Sequence, residues 1–82
     1  MLRARVTQSI WSTKRVSSIP HGAFLEVEVE PGGSRLVAFD VLGSGVGEAV
    51  LVATGSVAAA WLPGDNPPID ALIIGSIDEE RN

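Results

Sequence analysis

Three glycines spaced two apart, Gly43, Gly45 and Gly47, are the residues of this chain whose type and spacing most resemble a chemical device. They lie in Phe39-Asp40-Val41-Leu42-Gly43-Ser44-Gly45-Val46-Gly47-Glu48, between two apolar runs. Glycine-rich loops cradle phosphate when they open a helix whose amino terminus supplies the field. The spacing here matches neither the dinucleotide fingerprint nor the P-loop with its Lys-Ser/Thr. Glu48-Ala49-Val50-Leu51-Val52 follows, a strand pattern headed by a carboxylate that repels phosphate. The loop therefore reads as backbone geometry, needing positive φ or close approach, and not as a nucleotide site.

Other candidates fare no better as catalysts. Gly55-Ser56-Val57 lacks the nucleophile elbow, and His21, in Ile19-Pro20-His21-Gly22, is the one imidazole the chain offers. Ser56 is better read as a helix cap. Asp40, Asp70 and Asp78 could form a carboxylate cluster, but each borders a strand, where a carboxylate accepts backbone N–H groups in a turn. With a single histidine, no tyrosine and no cysteine, the chain is poor in the groups that triads and His/Cys metal sites use. Trp11 and Trp61 lack the companion aromatics of a base-stacking platform. They read as core or subunit-contact anchors.

The elements that must position these residues follow from periodicity. Leu25-Glu26-Val27-Glu28-Val29-Glu30 alternates strictly and predicts a strand with one apolar and one acidic face. Pro31-Gly32-Gly33 supplies a turn, and Ser34 to Val41 completes a hairpin. Leu2 to Val6 alternates likewise, and Ile10-Trp11 extends that strand past a bend. Ala49 to Ala53 and Ala71 to Ile77 are near-continuous apolar runs, as in strands covered on both faces. Ser56 to Trp61 suits a short helix, ended by a loop from Leu62 to Pro68. Five strands and one helix predict an all-β fold, a small closed or partly open barrel in which closure removes exposed strand edges. Residues 79–82 are expected to be a frayed polar tail.

Composition points to assembly. Apolar residues make up 45% of the 82 positions and charged residues 20%, more apolar surface than so small a core hides. Oligomerisation is the economical consequence. The net charge of −4 opposes nucleic-acid binding, although Arg3, Arg5, Lys14 and Arg15 could make a local basic patch. No apolar run approaches the length of a bilayer span, and the amino terminus lacks a signal-peptide core. A cytoplasmic protein is expected.

The order of segments resembles the pentameric vertex-protein family of bacterial microcompartments, which includes carboxysome and ethanolamine-utilisation shell proteins. The resemblance runs from Val6 and Ile10-Trp11-Ser12-Thr13-Lys14, through Phe24-Leu25-Glu26-Val27 and Val37 to Glu48, to Gly55-Ser56-Val57-Ala58 and Pro68-Ile69-Asp70-Ala71 to Asp78. It implies one vertex-protein domain over residues 1–78, an OB-like five-stranded barrel with one short helix, and a cyclic homopentamer. It further implies a structural role without enzymatic activity or cofactor: capping shell vertices among hexameric or pseudohexameric shell proteins. On that resemblance Ser44, Gly45, Val46 and Gly47 lie near the pore, and Trp11, Glu48 and Trp61 are candidate subunit or shell contacts. Two positions depart from the family pattern: Ser9 stands where glycine is frequent, and Ala59 where arginine is frequent. The alternative is an OB-fold protein binding single-stranded nucleic acid through Arg3, Arg5, Lys14 and Arg15.

Overall fold

The computed structural model describes residues 1–63 and 67–79. Five strands, β1 (Leu2–Ile10), β2 (Ala23–Val29), β3 (Arg35–Asp40), β4 (Ala49–Thr54) and β5 (Ala71–Ser76), and one helix, α1 (Ser56–Trp61), follow one another with α1 between β4 and β5. The strands close into a barrel in the order β1-β2-β3-β5-β4. Neighbours run antiparallel except β3 and β5, which run parallel through Phe39 and Leu72.

Alternation in the sequence sorts side chains as expected. Ala4, Val6, Leu25, Val27, Ala38, Val50, Val52, Ala71 and Ile73 fill the interior. Glu26 and Glu28 stand on the outer face of β2. Turn chemistry makes the β2–β3 hairpin. Gly32 and Gly33 take φ of 114° and 77°, which other residues resist, and Val29 N–H donates to the Ser34 carbonyl at 2.7 Å.

The bend expected after Val6 is a bulge within one continuous strand. The β1–β2 register slips between Val6 and Gln8. Thr7, the residue at the slip, donates its hydroxyl to the Glu26 carbonyl (3.0 Å) and carboxylate (2.9 Å). Bulges of this kind bend and twist the strand. β1 ends at Ile10 and leaves Trp11 outside the sheet.

A second core cluster, Phe39, Ala58, Leu62, Ile69 and Leu72, lies beneath α1, with Ile19 and Phe24 against it. Phe24 and Phe39 meet edge to face with centroids 5.3 Å apart. Gly22 sits directly on the Phe39 ring. A Cβ there would lie 2.5 Å from Phe39 Cζ and 2.7 Å from the Asp40 carbonyl oxygen.

Four expectations are corrected. Ser56 does not cap α1: the cap is Gly55, at φ 76°, and no side chain bonds the helix start. Gly55 turns the chain out of β4, donates its own N–H to the Asp70 carbonyl at 2.7 Å and accepts the Ala58 N–H on its carbonyl at 3.1 Å, so a backbone acceptor serves the helix start. Trp11 and Trp61 are not core residues, being 91% and 78% exposed. β4 and β5 are covered on one face within the chain, because Leu51 and Ala53 remain half-buried and Ile74 exposed. Glu79 is not frayed: it accepts from Arg5 at 2.8 Å and pairs with Arg3 at 3.6 Å. The tail positions 80–82 and loop positions 64–66 lie outside the described residues.

Candidate functional site: the glycine loop and an uncovered apolar face

Between β3 and β4 the glycine loop is held by two carboxylates. Asp40 ends β3 almost fully buried, at 3% exposure. Its Oδ2 accepts the N–H groups of Gly43 (2.9 Å) and Ser44 (2.8 Å), and its Oδ1 accepts the Ser44 hydroxyl (2.9 Å). This is the turn-forming role expected of an aspartate at a strand end. At the far side, Glu48 accepts Gly45 N–H at 2.8 Å on Oε1 and the Ser76 hydroxyl at 3.2 Å on Oε2. Glu48 therefore ties the loop to the end of β5. The loop also joins β1, since Gly47 N–H donates to the Val6 carbonyl (2.9 Å) and Val6 N–H to the Glu48 carbonyl (3.0 Å).

The three glycines serve different ends. Gly43 and Gly47 take φ of 81° and 92°, conformations that L side chains rarely adopt. Gly45 has no such requirement, and a Cβ there would approach Glu48 Oε1 at an ordinary 3.4 Å. Ser44 is half-buried while Gly45, Val46 and Gly47 face outward. Nothing in this arrangement offers free N–H groups converging on a phosphate, because the carboxylates of Asp40 and Glu48 already occupy those of Gly43, Ser44 and Gly45.

The other candidates are dispersed. Asp70 engages Gly55 through its main-chain carbonyl, and Asp78 lines a polar cleft with Gly47, Glu48, Ser76 and Glu79. Among the described residues no group of three or more His, Asp or Glu side chains is gathered as a metal site. His21 is exposed at a bend. The basic patch is also broken up. Arg5 donates to Glu79 (2.8 and 3.1 Å) and to the Gly47 carbonyl (2.8 Å), and it pairs with Glu30 at 3.4 Å. Hydrogen bonding to Glu79, then the charges of Glu79 and Glu30, hold this guanidinium protonated still more firmly than usual. Arg3 pairs with the same two glutamates. Arg15 stays exposed but folds back on its own segment, donating to the Gly22 carbonyl at 2.9 Å and stacking 4.9 Å from the Phe24 ring centroid.

What sequence reasoning missed is a groove. Val41 and Leu42 from the glycine loop, Ala53 from β4, Val57 and Trp61 from α1, and Ile74 from β5 line an apolar depression of about 440 Å³. Val57 is 63% exposed. The one available signal was the unbroken apolar character of β4 and β5, which a single chain leaves half covered. Contiguous apolar surface on a small protein marks an interaction face.

A closed barrel whose open apolar face lies beside a carboxylate-braced loop has the build of an assembly subunit. The chain belongs to the family described as ethanolamine utilisation protein EutN/carboxysome, whose model matches residues 1–78. It is 37% identical to the bacterial microcompartment shell vertex protein EutN of Escherichia coli (strain K12), over 96% of this chain and 88% of that protein. Among solved structures it is similar to the pentameric shell protein MSM0273 from the RMM microcompartment. The TM-score there is 0.91 at 68% identity, covering all of this chain and 98% of the other. The GrpN pentameric microcompartment shell protein from Rhodospirillum rubrum superimposes with a TM-score of 0.82 at 30% identity, covering 100% and 99%. This is a family of structural shell vertex proteins and not of enzymes, and it supports the shell reading over nucleic-acid binding.

Proposed function

We propose that five copies of this chain close into a ring that caps a vertex of a microcompartment shell in the cytoplasm, with hexameric or pseudohexameric shell proteins as neighbours. One observation carries this reading above the others: an 82-residue barrel that leaves one apolar face open matches, over its whole length, a shell protein described as pentameric. A head-to-tail contact that closes by rotation covers such a face on every copy. Residues 1–78 act as the single vertex domain. Ser44, Gly45, Val46 and Gly47 stand near the ring axis, where five backbones converge and small residues reduce crowding. Trp11, Glu48 and Trp61 contribute to subunit or shell contacts, a role that fits the high exposure of both tryptophans.

Native mass spectrometry of the purified chain tests the ring. A pentamer mass at micromolar concentration is expected. A stable monomer or dimer under those conditions overturns the proposal.

A further inference from the structure

The apolar groove is only half of a head-to-tail contact, which needs a second and different patch on each subunit. Outside the groove the largest exposed apolar side chain is Trp11, ahead of Val16, Val37 and Val46. Trp11 begins the connection between β1 and β2, residues 11–22, which is exposed from Trp11 through Ser18. The connection is internally braced all the same. Ser12 Oγ donates to the Lys14 carbonyl at 2.8 Å, Ile19 N–H donates to the Val16 carbonyl at 3.2 Å, and Arg15 is fixed on Gly22 and Phe24. A segment already shaped loses little freedom on docking.

Charge singles out the same segment. Residues 11–22 carry Lys14, Arg15 and His21 and no acid, and the first acidic residue of the chain is Glu26. The rest of the chain holds four basic and ten acidic residues. The connection of one copy is therefore complementary to the body of another, a pattern that favours oriented encounter.

We propose that Trp11 of one copy seats in the groove formed by β4, β5 and α1 of the next, against Val57 and Trp61, with Lys14 facing that copy's acidic surface. The inference rests on the ring reading and names its contact. Tryptophan in an apolar recess is the usual anchor of such interfaces.

The test uses the absence of cysteine, so that introduced thiols pair with each other alone. Native mass spectrometry of the unmodified chain comes first: a result without pentamers overturns the ring and this contact with it. With pentamers present, a chain carrying both Ser12→Cys and Val57→Cys is oxidised and run on a non-reducing gel. A ladder of covalent oligomers up to five is expected. An unlinked or internally linked chain that still gives a pentamer mass overturns the contact while leaving the ring standing. Independently, Trp11→Asp should raise the concentration for half-dissociation about tenfold or more, with Trp11→Phe close to the parent. Trp11→Asp rings that survive dilution like the parent overturn the contact.

Discussion

Removing the Asp40 carboxylate should collapse the bracing of the glycine loop, and the structure sets the scale. Three donors converge on this buried side chain within 2.9 Å. Hydrogen bonds to charged groups contribute about 1.5–3 kcal/mol each, and those left unpaired cost a similar desolvation. Gly43 is exposed and Ser44 only half-buried, so water replaces much of what the three donors lose, and the net cost of Asp40→Ala is set at the worth of about one such bond, about 2–3 kcal/mol. For a domain of this size each kcal/mol moves Tm by about 4–8 °C, giving a fall of about 8–24 °C. Asp40→Asn separates geometry from charge. Its amide oxygen can still accept both N–H groups on the Oδ2 side, while its NH2 faces a Ser44 hydroxyl that can rotate to accept. The loss should then be about 1 kcal/mol, or about 4–8 °C. Thermal unfolding followed by circular dichroism measures both, at one fixed concentration because assembly makes Tm concentration-dependent. If Asp40→Ala melts like the parent, the claim that this carboxylate organises the loop is wrong.

Gly22→Ala should lose about 1–3 kcal/mol by overpacking, because the new methyl meets both the Phe39 ring and the Asp40 backbone; an unchanged urea midpoint would refute the close approach. Glu26 is held below its ordinary carboxylate range first by the Thr7 hydroxyl, then by Gln8 and by Arg35. Its folded pKa is depressed, so its contribution is present above the unfolded value and is lost as pH falls through the folded one. Glu26→Gln should therefore flatten the acid limb of the stability profile, and an unaltered limb would count against this. Gly45→Trp should leave the monomer fold intact, since the backbone there tolerates a Cβ, yet block or distort the ring. A normal pentamer with an unchanged axis by electron microscopy would place the loop elsewhere.

Much of the barrel is legible in the residues because alternation is a local signal. Glu26 and Glu28 mark the outer face of β2, and Leu25 and Val27 the inner, without reference to any neighbour. The bulge at Thr7 is different. It shows in sequence only as a broken pattern, and whether the strand bends, ends or bulges is decided by its pairing with Glu26. The cap of α1 misleads for a related reason: Ser56 is a good capping residue, but the bond from Gly55 to the Asp70 carbonyl is set by tertiary contact. Gly22 looks like any turn glycine until Phe39 is placed 2.5 Å from its missing Cβ. The glycine loop was readable as geometry, and Asp40 as its turn-former. The clamp by Glu48 depends on Ser76, 28 residues on, and no local rule reaches that far.

β5 lies between β3 and β4, although it follows both in the sequence. Until residues 71–76 have been synthesised, β3 and β4 each present an unpaired edge, and the interior formed by Ala38, Val50 and Val52 stays open on that side. Once β4 is made and before β5 follows, the chain can form at most a four-stranded sheet with two adhesive borders, the kind of species that pairs wrongly with its neighbours. Closure waits on contacts such as Phe39 with Leu72, whose long separation makes barrel formation slow for so short a chain. In the ring proposed above, joining would wait on the arrival of β5.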